Sequence, residues 1–210
     1  MNLELLPKSD IQATTFRFEA DADVEASLAA FELDPQEIRA FLAQYSLPVN
    51  ATTASDRVVQ RFSAKRTAYP SRFSDGSIPV LYTAIEDTTA RAEVDYWFRK
   101  LNGNAFSAAT YYRKMRCEFE GAVVDLRPET EANAFLISAN NDGYSQCIAV
   151  TREALALDLD GFITHSARLA GGVCLPVLKR DAVVSAEWDG VFQFYFNADD
   201  SPATVTLVRE

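Results

Sequence analysis

The sequence predicts an α+β protein in which a mixed β-sheet is flanked by helices, with a helical extension at the N-terminus. Three observations predict this fold class. Short apolar or alternating segments, typical of strands, outnumber the segments with helical periodicity. Strand-like and helix-like segments do not alternate throughout the chain, as they would in a doubly wound parallel sheet. The last part of the chain is a run of strand-like segments, which is typical of a β-meander.

The chain of 210 residues has an ordinary globular composition, with 48% hydrophobic and 24% charged residues. This length predicts one domain with a small N-terminal appendage. We divide the chain into an N-terminal extension, residues 1–56, and a main domain, residues 57–210.

The N-terminal extension is predicted to contain one helix. Residues 1–25 are polar and acidic, and we interpret them as a loosely ordered lead-in. Residues 32–47 have the apolar spacing of a helix, with Asp34 as a cap and Pro35 in the first turn. A turn-rich linker, residues 48–56, follows.

The main domain is predicted to contain two helices and a larger number of strands. One helix follows Asp87 as its cap and ends at Asn102-Gly103, and the other covers residues 143–157. The buried face of the first helix is predicted to carry Ala90, Val94, Trp97, Phe98 and Leu101. Strands are predicted at 57–63, 78–84, 111–121, 161–166, 173–178, 182–188, 191–196 and 204–210, with Asp189-Gly190 as a hairpin turn.

The net charge of −10 makes nucleic acid an improbable direct partner, because an acidic surface repels phosphate backbones. Small anionic ligands are not excluded, since a few local arginines can hold them. We expect no signal peptide, because the first residues lack a basic region followed by an apolar run, and no apolar stretch is long enough to cross a membrane, so a cytoplasmic protein is expected. The Gly-rich motifs of dinucleotide-binding folds and of P-loops are absent.

The cysteines do not indicate a metal site. Cys117, Cys147 and Cys174 are widely spaced, and we interpret them as buried, reduced thiols. The chain has one histidine, His165, so a zinc site of cysteine and histidine ligands is not expected.

Glu93 is the first polar residue that stands out. It lies three residues after Ala90 and four before Trp97, at the edge of the buried face of its helix. A carboxylate in that place loses hydration and needs a partner or a ligand. The spacing alone favours an ion pair at the seam between helix and sheet over a ligand-binding role.

Four more polar residues join it as candidates, each with an ordinary structural alternative. Arg61 lies within an apolar segment and Arg72 precedes a turn, where arginines usually face solvent. Tyr82 ends a predicted buried strand, where it can be a core aromatic. Ser166 ends another strand, where it can cap a turn.

The order of these segments resembles the RES domain, a family named for an arginine, a glutamate and a serine. "VVQRFS" resembles the first block, with Arg61 as its arginine. "SRFSDGSIPVLYTA" is similar to the family's Gly-Arg-Trp-Asn turn, with Arg72, and to its tyrosine-bearing strand, with Tyr82. "TTARAEV" places the family glutamate at Glu93, and "DGFITHSARLAGGVCLPVL" places the serine at Ser166.

Two features depart from the family pattern. The turn reads Ser-Arg-Phe-Ser instead of Gly-Arg-Trp-Asn, which changes the expected rim of the pocket. Cys174 stands where the family often has an asparagine after the Gly-Gly of the serine block. The resemblance covers roughly residues 57–180 and leaves the N-terminal extension outside.

The resemblance implies a fold similar to ADP-ribosyltransferases and a toxin of a toxin–antitoxin pair that acts on NAD. The substrate NAD would be cleaved by hydrolysis or phosphorolysis, without a metal. The partner would be an antitoxin with a DNA-binding domain, and a homodimer is left open. A mono-ADP-ribosyltransferase that modifies a protein, or an inert partner-binding module, are the alternatives.

The resemblance also assigns roles to the candidates. Glu93, Arg61 and Tyr82 form the expected catalytic group, and Arg61, Arg72, Tyr82 and Ser166 are expected to bind NAD. An arginine's planar fork suits a pyrophosphate, a tyrosine ring suits the flat nicotinamide, and a carboxylate stabilises positive charge on the ribose. Ser166 is expected to hydrogen-bond the ribose or a phosphate.

Overall fold

The computed structural model of the protein describes residues 1–20, 53–63, 70–103, 108–138, 141–199 and 201–209. In these ranges the strands are β1 (Lys8–Ala20), β2 (Leu81–Ala84), β3 (Ala108–Asp125), β4 (Gly161–His165), β5 (Val173–Val177), β6 (Val183–Phe196) and β7 (Thr204–Arg209). The α-helices are α1 (Ala54–Ser63), α2 (Asp87–Asn102) and α3 (Tyr144–Ala156). Short 3-10 helices lie at Leu3–Leu5, Arg127–Glu129, Ala134–Ile137, Asn141–Gly143 and Arg180–Ala182.

The strands form one seven-stranded sheet in the order β1-β2-β5-β4-β3-β6-β7. The pair β3–β4 is parallel and the other pairs are antiparallel. A mixed sheet with flanking helices confirms the predicted α+β class. Across the described ranges, no helix has the length and apolar character needed to span a membrane.

β1 pairs with two neighbours and so closes part of the sheet into a ring. It runs antiparallel to β3 along its whole length. It meets β2 at a single position, where Phe16 lies opposite Ala84. The pairs β2–β5, β5–β4 and β4–β3 complete a ring of five strands, in which the joint between β1 and β2 is the shortest.

The prediction of a loosely ordered lead-in over residues 1–25 is wrong for the described part, because Lys8–Ala20 is a sheet strand. Exposed and less exposed residues alternate along this strand, with Ile11, Ala13 and Thr15 on the more buried face. The alternation is hard to recognise in the sequence because most of these residues are polar. The long pairing with β3 satisfies its backbone and outweighs its low hydrophobicity.

The prediction of a strand at 57–63 is also wrong, because these residues are the last part of α1. Ala54 and Val58 are buried four residues apart, and Phe62 packs on the same core cluster, which is helical spacing. Thr53 and Asp56 exchange hydrogen bonds between side chain and backbone, an arrangement that starts a helix as a capping box does.

Three details of the later elements differ from prediction. Asp189-Gly190 is not a hairpin turn, because β6 continues through it and a bulge against β3 absorbs the extra residue, with Gly190 at φ 90°. Asp87 is the first residue of α2 and Glu86 precedes it as N-cap. Leu101 is 71% exposed, because the buried stripe of α2 ends one turn earlier.

Several other predictions are confirmed. The helix predicted at 143–157 is α3, Tyr144–Ala156, and α2 ends at Asn102 with Gly103 at φ 73°. All three cysteines are buried and free. The helix predicted at 32–47 lies outside the described residues. The division between residues 56 and 57 falls inside α1 and stays a prediction.

Candidate active site

A cavity of about 350 Å³ is bordered by β1, α1, β2 and α2. Four of the predicted site residues line it. Arg61 comes from α1, Arg72 from the turn before β2, Tyr82 from β2 and Glu93 from α2. Side chains from four successive elements of the chain therefore meet around one cavity.

Tyr82 fixes the turn that carries Arg72. Ser71 and Ser74 close this turn through two backbone hydrogen bonds. The Tyr82 hydroxyl lies 2.8 Å from the Ser71 Oγ and accepts the Phe73 N–H at 2.9 Å. Burial raises the pKa of Tyr82, so the phenol stays neutral and can keep both bonds.

Arg72 is a buried cation, with 7% of its surface exposed. Its Nη1 donates to the carbonyls of Leu136 at 3.0 Å and His165 at 3.4 Å, and its guanidinium lies 4.8 Å from the centre of the Phe73 ring. Among the described residues, no carboxylate forms an ion pair with it. A buried guanidinium without a carboxylate is suited to an anionic ligand.

Arg61 is a second cation at the cavity. Its Nε donates to the carbonyl of Val80 at 2.8 Å, which holds the side chain beside the start of β2. Burial lowers the pKa of Arg61, and repulsion from Arg17 lowers it further. In the ranges that the structure describes, Arg61 also has no carboxylate within ion-pair distance.

Glu93 lies at the cavity without a cation of its own among the described residues. The ion pair at the helix–sheet seam, which the spacing alone favoured, is therefore not what holds it. Its Oε1 accepts from the Ser166 hydroxyl at 3.2 Å and lies 3.9 Å from the Cys174 thiol. Two neutral donors hold the carboxylate, which leaves its charge available to a ligand.

Ser166 does not line the cavity, but it touches the residue that does. Its Oγ accepts the backbone N–H groups of Arg168 at 3.0 Å and Leu169 at 3.2 Å. With its lone pairs engaged by the turn, its one proton is directed at Glu93. The serine thus connects the loop after β4 to the carboxylate on α2.

Sequence reasoning missed several residues at this cavity, among them Arg168 in the loop after β4. Arg17 on β1 lines it, but it belongs to the segment interpreted as a lead-in. Tyr144, the first residue of α3, is 7% exposed and its hydroxyl has no hydrogen-bond partner among the described residues. Cys174 was noted only as a departure from a pattern, and its contact with Glu93 needed the fold.

A larger groove of about 1080 Å³ lies along another face of α2 and contains none of the predicted site residues. Two of its arginines are already neutralised: Arg91 pairs with Asp87 and Arg99 pairs with Asp95. We assign the candidate site to the smaller cavity, because it gathers Arg61, Arg72 and Glu93, which form no ion pair with any described residue.

A family model described as RES domain matches residues 48–197. The chain belongs to the RES domain family. All five candidate residues lie within the RES match, whereas β1 with Arg17 precedes it. Ser166, which the resemblance assigns to the serine position of the family, contacts Glu93.

This RES domain protein is similar to a solved structure, the crystal structure of the M.tuberculosis MbcT-MbcA toxin-antitoxin complex. The two chains are 16% identical with a TM-score of 0.49, and the alignment covers 91% of this chain and 87% of that chain. No curated protein matches the RES domain protein significantly.

Proposed function

We propose that this RES domain protein is the toxin of a toxin–antitoxin pair and that it cleaves NAD at the bond between nicotinamide and ribose. The observation that carries the proposal is the separation of charge in one cavity. Arg61 and Arg72 lack carboxylate partners and Glu93 lacks a cation, within the described residues. NAD offers the complementary charges, with an anionic pyrophosphate and a cationic nicotinamide ring.

The reaction requires little proton transfer at the leaving group. When the bond between C1′ and the ring nitrogen breaks, nicotinamide takes the electron pair and leaves as a neutral molecule. Positive charge then spreads over the ribose, and a nearby carboxylate lowers the energy of that state. Water or phosphate forms the new bond to C1′, and a water nucleophile gives up its proton to solvent. We assign the stabilising role to Glu93.

The other residues bind and orient. Arg61 and Arg72 hold the pyrophosphate through charge-assisted hydrogen bonds. Tyr82 supplies an aromatic wall for nicotinamide. Ser166 acts through Glu93, since its hydroxyl is already engaged by the carboxylate and by the turn after β4.

The test is NAD consumption by the purified protein, with and without phosphate, compared with the Glu93→Gln variant. The amide keeps the shape and the hydrogen bond to Ser166 but removes the charge. We expect NAD binding near the parent value and turnover lower by about 10²- to 10³-fold, the scale of a lost electrostatic stabiliser. Glu187→Gln, on the exposed face of β6, is the matched control and is expected to turn over NAD normally.

The products decide between the proposal and its alternatives. Free ADP-ribose or its phosphorylated form supports cleavage, whereas label from NAD fixed on a protein band supports transfer. Parent-rate turnover by Glu93→Gln would remove the glutamate from the mechanism. If the parent protein neither consumes NAD nor slows growth when expressed without an antitoxin, the chain is an inert partner-binding module.

The proposed partner is an antitoxin that carries a DNA-binding domain. The net charge of −10 supports assigning DNA binding to the antitoxin, because an acidic protein is poorly suited to contact DNA itself. If expression of this protein alone slows growth, co-expression with its cognate antitoxin is expected to restore growth.

A further inference from the structure

The loop after β4 that carries Ser166 is closed on itself. The Ser166 N–H donates to the carbonyl of Gly172 at 2.8 Å, and the Gly172 N–H donates to the carbonyl of Leu169 at 3.0 Å. The Ser166 Oγ accepts the N–H groups of Arg168 and Leu169 within the same loop. These bonds make residues 166–172, which we call the serine loop, a compact unit, so its placement on α2 sets the position of Ser166.

Glu86 joins the end of the serine loop to the start of α2. It is the N-cap residue of α2, yet its side chain makes no capping bond to the backbone of that helix. Its Oε2 instead accepts the Val173 N–H at 3.1 Å and the Thr89 hydroxyl at 2.7 Å. A carboxylate is favoured at a helix N-terminus, and here it also binds the residue that follows the loop.

Gly172 allows the loop to approach α2 closely. A Cβ at this position would lie 2.6 Å from the Thr89 Oγ1 and 3.1 Å from the Thr89 Cγ2. Thr89 is fully buried, so its side chain has little room to move away. The backbone of Gly172 is outside the left-handed region, so this position needs a missing Cβ and not the backbone freedom of glycine.

This attachment lies one helical turn from Glu93. Thr89 and Glu93 are four residues apart on α2, so their side chains lie on the same face of the helix. The serine loop therefore contacts α2 at two successive turns, through Gly172 at Thr89 and through the Ser166 hydroxyl at Glu93. Glu86 and Thr89 do not line the cavity, so they act on a ligand only through the residues that they hold.

We propose that Glu86 and Thr89 are positioning residues that fix the serine loop on α2 and thereby keep the Ser166 hydroxyl on the Glu93 carboxylate. The inference rests on the proposed function, because Glu93 is the group whose placement it explains. If the loop separates from the first turn of α2, Ser166 moves away and the carboxylate loses the donor that orients it.

The attachment is expected to affect turnover more than NAD binding. The two arginines assigned to the pyrophosphate are held from outside the serine loop, Arg61 by the carbonyl of Val80 and Arg72 by that of Leu136. Loss of the attachment leaves these contacts in place. The inference therefore predicts a fall in kcat with little change in the Michaelis constant.

The first test is steady-state kinetics of NAD consumption by Glu86→Ala. We expect kcat to fall by about tenfold, the lower end of the range for a lost supporting contact. Glu86→Gln keeps an oxygen that can accept both hydrogen bonds, and it is expected to recover most of the parent kcat. Asp87→Ala is the matched control, because it removes a carboxylate from the same end of α2 that pairs with Arg91 and Lys114 and not with the loop.

A double-mutant cycle with Ser166→Ala distinguishes positioning from general support of the fold. Because the attachment acts through Ser166, Glu86→Ala should lower kcat no further in the Ser166→Ala background. Losses that multiply would show that Glu86 acts elsewhere and would overturn the inference.

Gly172→Ala tests the same contact from the side of the loop. The added Cβ should push the loop away from Thr89 and lower kcat as Glu86→Ala does. Thr89→Ala in the same chain removes both Thr89 atoms that the Cβ would meet, so it should restore part of the lost kcat. Parent kcat in Gly172→Ala alone would contradict the proposed attachment.

Hydrogen exchange of residues 166–173 tests the attachment without catalysis. We expect faster exchange than in the parent for Glu86→Ala and Gly172→Ala, and parent exchange for Asp87→Ala. Unchanged exchange in the first two variants overturns the inference whatever their activity, and so does faster exchange with the parent kcat. A parent protein that does not consume NAD contradicts the proposed function, and the exchange of the loop then decides alone whether Glu86 and Thr89 hold it.

Discussion

Glu93 is held by neutral groups, and this determines what its neighbours can contribute. If an arginine formed an ion pair with Glu93, it would neutralise the charge of the carboxylate within the protein. Here the hydroxyl of Ser166 and the thiol of Cys174 approach the same oxygen, Oε1. Hydrogen bonds from neutral donors orient the group and preserve its charge.

Ser166→Ala tests this positioning role. The change removes the donor to Glu93 and the acceptor of the Arg168 and Leu169 N–H groups. We expect kcat for NAD to fall by about tenfold or more while the Michaelis constant changes little, as when a supporting hydrogen bond is lost. Steady-state kinetics check it, with Ser185→Ala on the exposed face of β6 as control. A raised Michaelis constant with unchanged kcat would mean that the serine binds NAD directly.

The buried thiols make stability depend on pH at the alkaline end. Burial raises the pKa of Cys117 and Cys174 to about 12 and that of Cys147 to about 11, from an ordinary 9.0. The folded chain therefore keeps these thiols protonated at pH values where the unfolded chain has lost the protons. Their contribution to stability is complete below pH 9 and is lost as pH rises through the folded values.

We accordingly expect the melting temperature to fall as pH rises above about 9, and the native thiols to react slowly with iodoacetamide at pH 8. Labelling in urea is expected to modify all three cysteines. Fast labelling of Cys174 in the native protein would contradict its burial beside Glu93. Cys174→Ser provides the control, since it removes one reactive group and keeps a donor.

At the scale of elements, β1 is more than an appendage to the RES domain. All of β1 pairs with β3, over residues 112–124 of that strand, and β1 also supplies a wall of the cavity. The family match begins at residue 48, yet the strand before it completes the sheet. A stretch outside the family motifs therefore takes part in both folding and the site.

Deletion of residues 1–20 tests this contribution. The loss of β1 exposes the backbone of β3 and the apolar residues beneath it, and an uncovered central edge promotes aggregation. We expect the shortened chain to be insoluble or to lack a cooperative thermal transition. A soluble fragment with the parent melting temperature would show that β1 is dispensable.

α1 and β1 also show where sequence reasoning reaches its limit. Arg61 was expected in a strand, but it lies on a helix and still arrives at the predicted cavity, because Val80 anchors its side chain. Short apolar runs such as residues 57–63 fit both periodicities, and only the packing of Val58 and Phe62 decides between them. β1 can be recognised as a strand only from its pairing with β3, which is far away in the sequence.

For the molecule as a whole, composition and patterning predicted a mixed α+β sheet, and the structure confirms it. Family motifs identified residues that the fold gathers at one cavity. What the sequence could not supply was long-range geometry. The contacts of Arg17 with Tyr82, and of Cys174 with Glu93, join positions that are 65 and 81 residues apart in the sequence.

The whole molecule is acidic, with a net charge of −10, while the cavity collects guanidinium groups. We expect an anionic ligand such as the proposed dinucleotide to meet repulsion at long range and attraction near the opening of the cavity. Ionic strength screens the long-range part most strongly, since the Debye length is about 8 Å at physiological salt. Selection of the ligand therefore depends on the few residues that line the hollow.

The single-pair joint between β1 and β2 has a mechanical consequence. Arg17 on β1 donates to the Tyr82 carbonyl on β2 beside that joint, and both residues line the cavity. Closure of the joint and binding in the cavity are then linked by thermodynamic reciprocity, since a ligand that binds more tightly when the joint is closed also stabilises the closed joint. A molecule that separates β1 from β2 at this joint would therefore inhibit the protein without occupying the proposed NAD site.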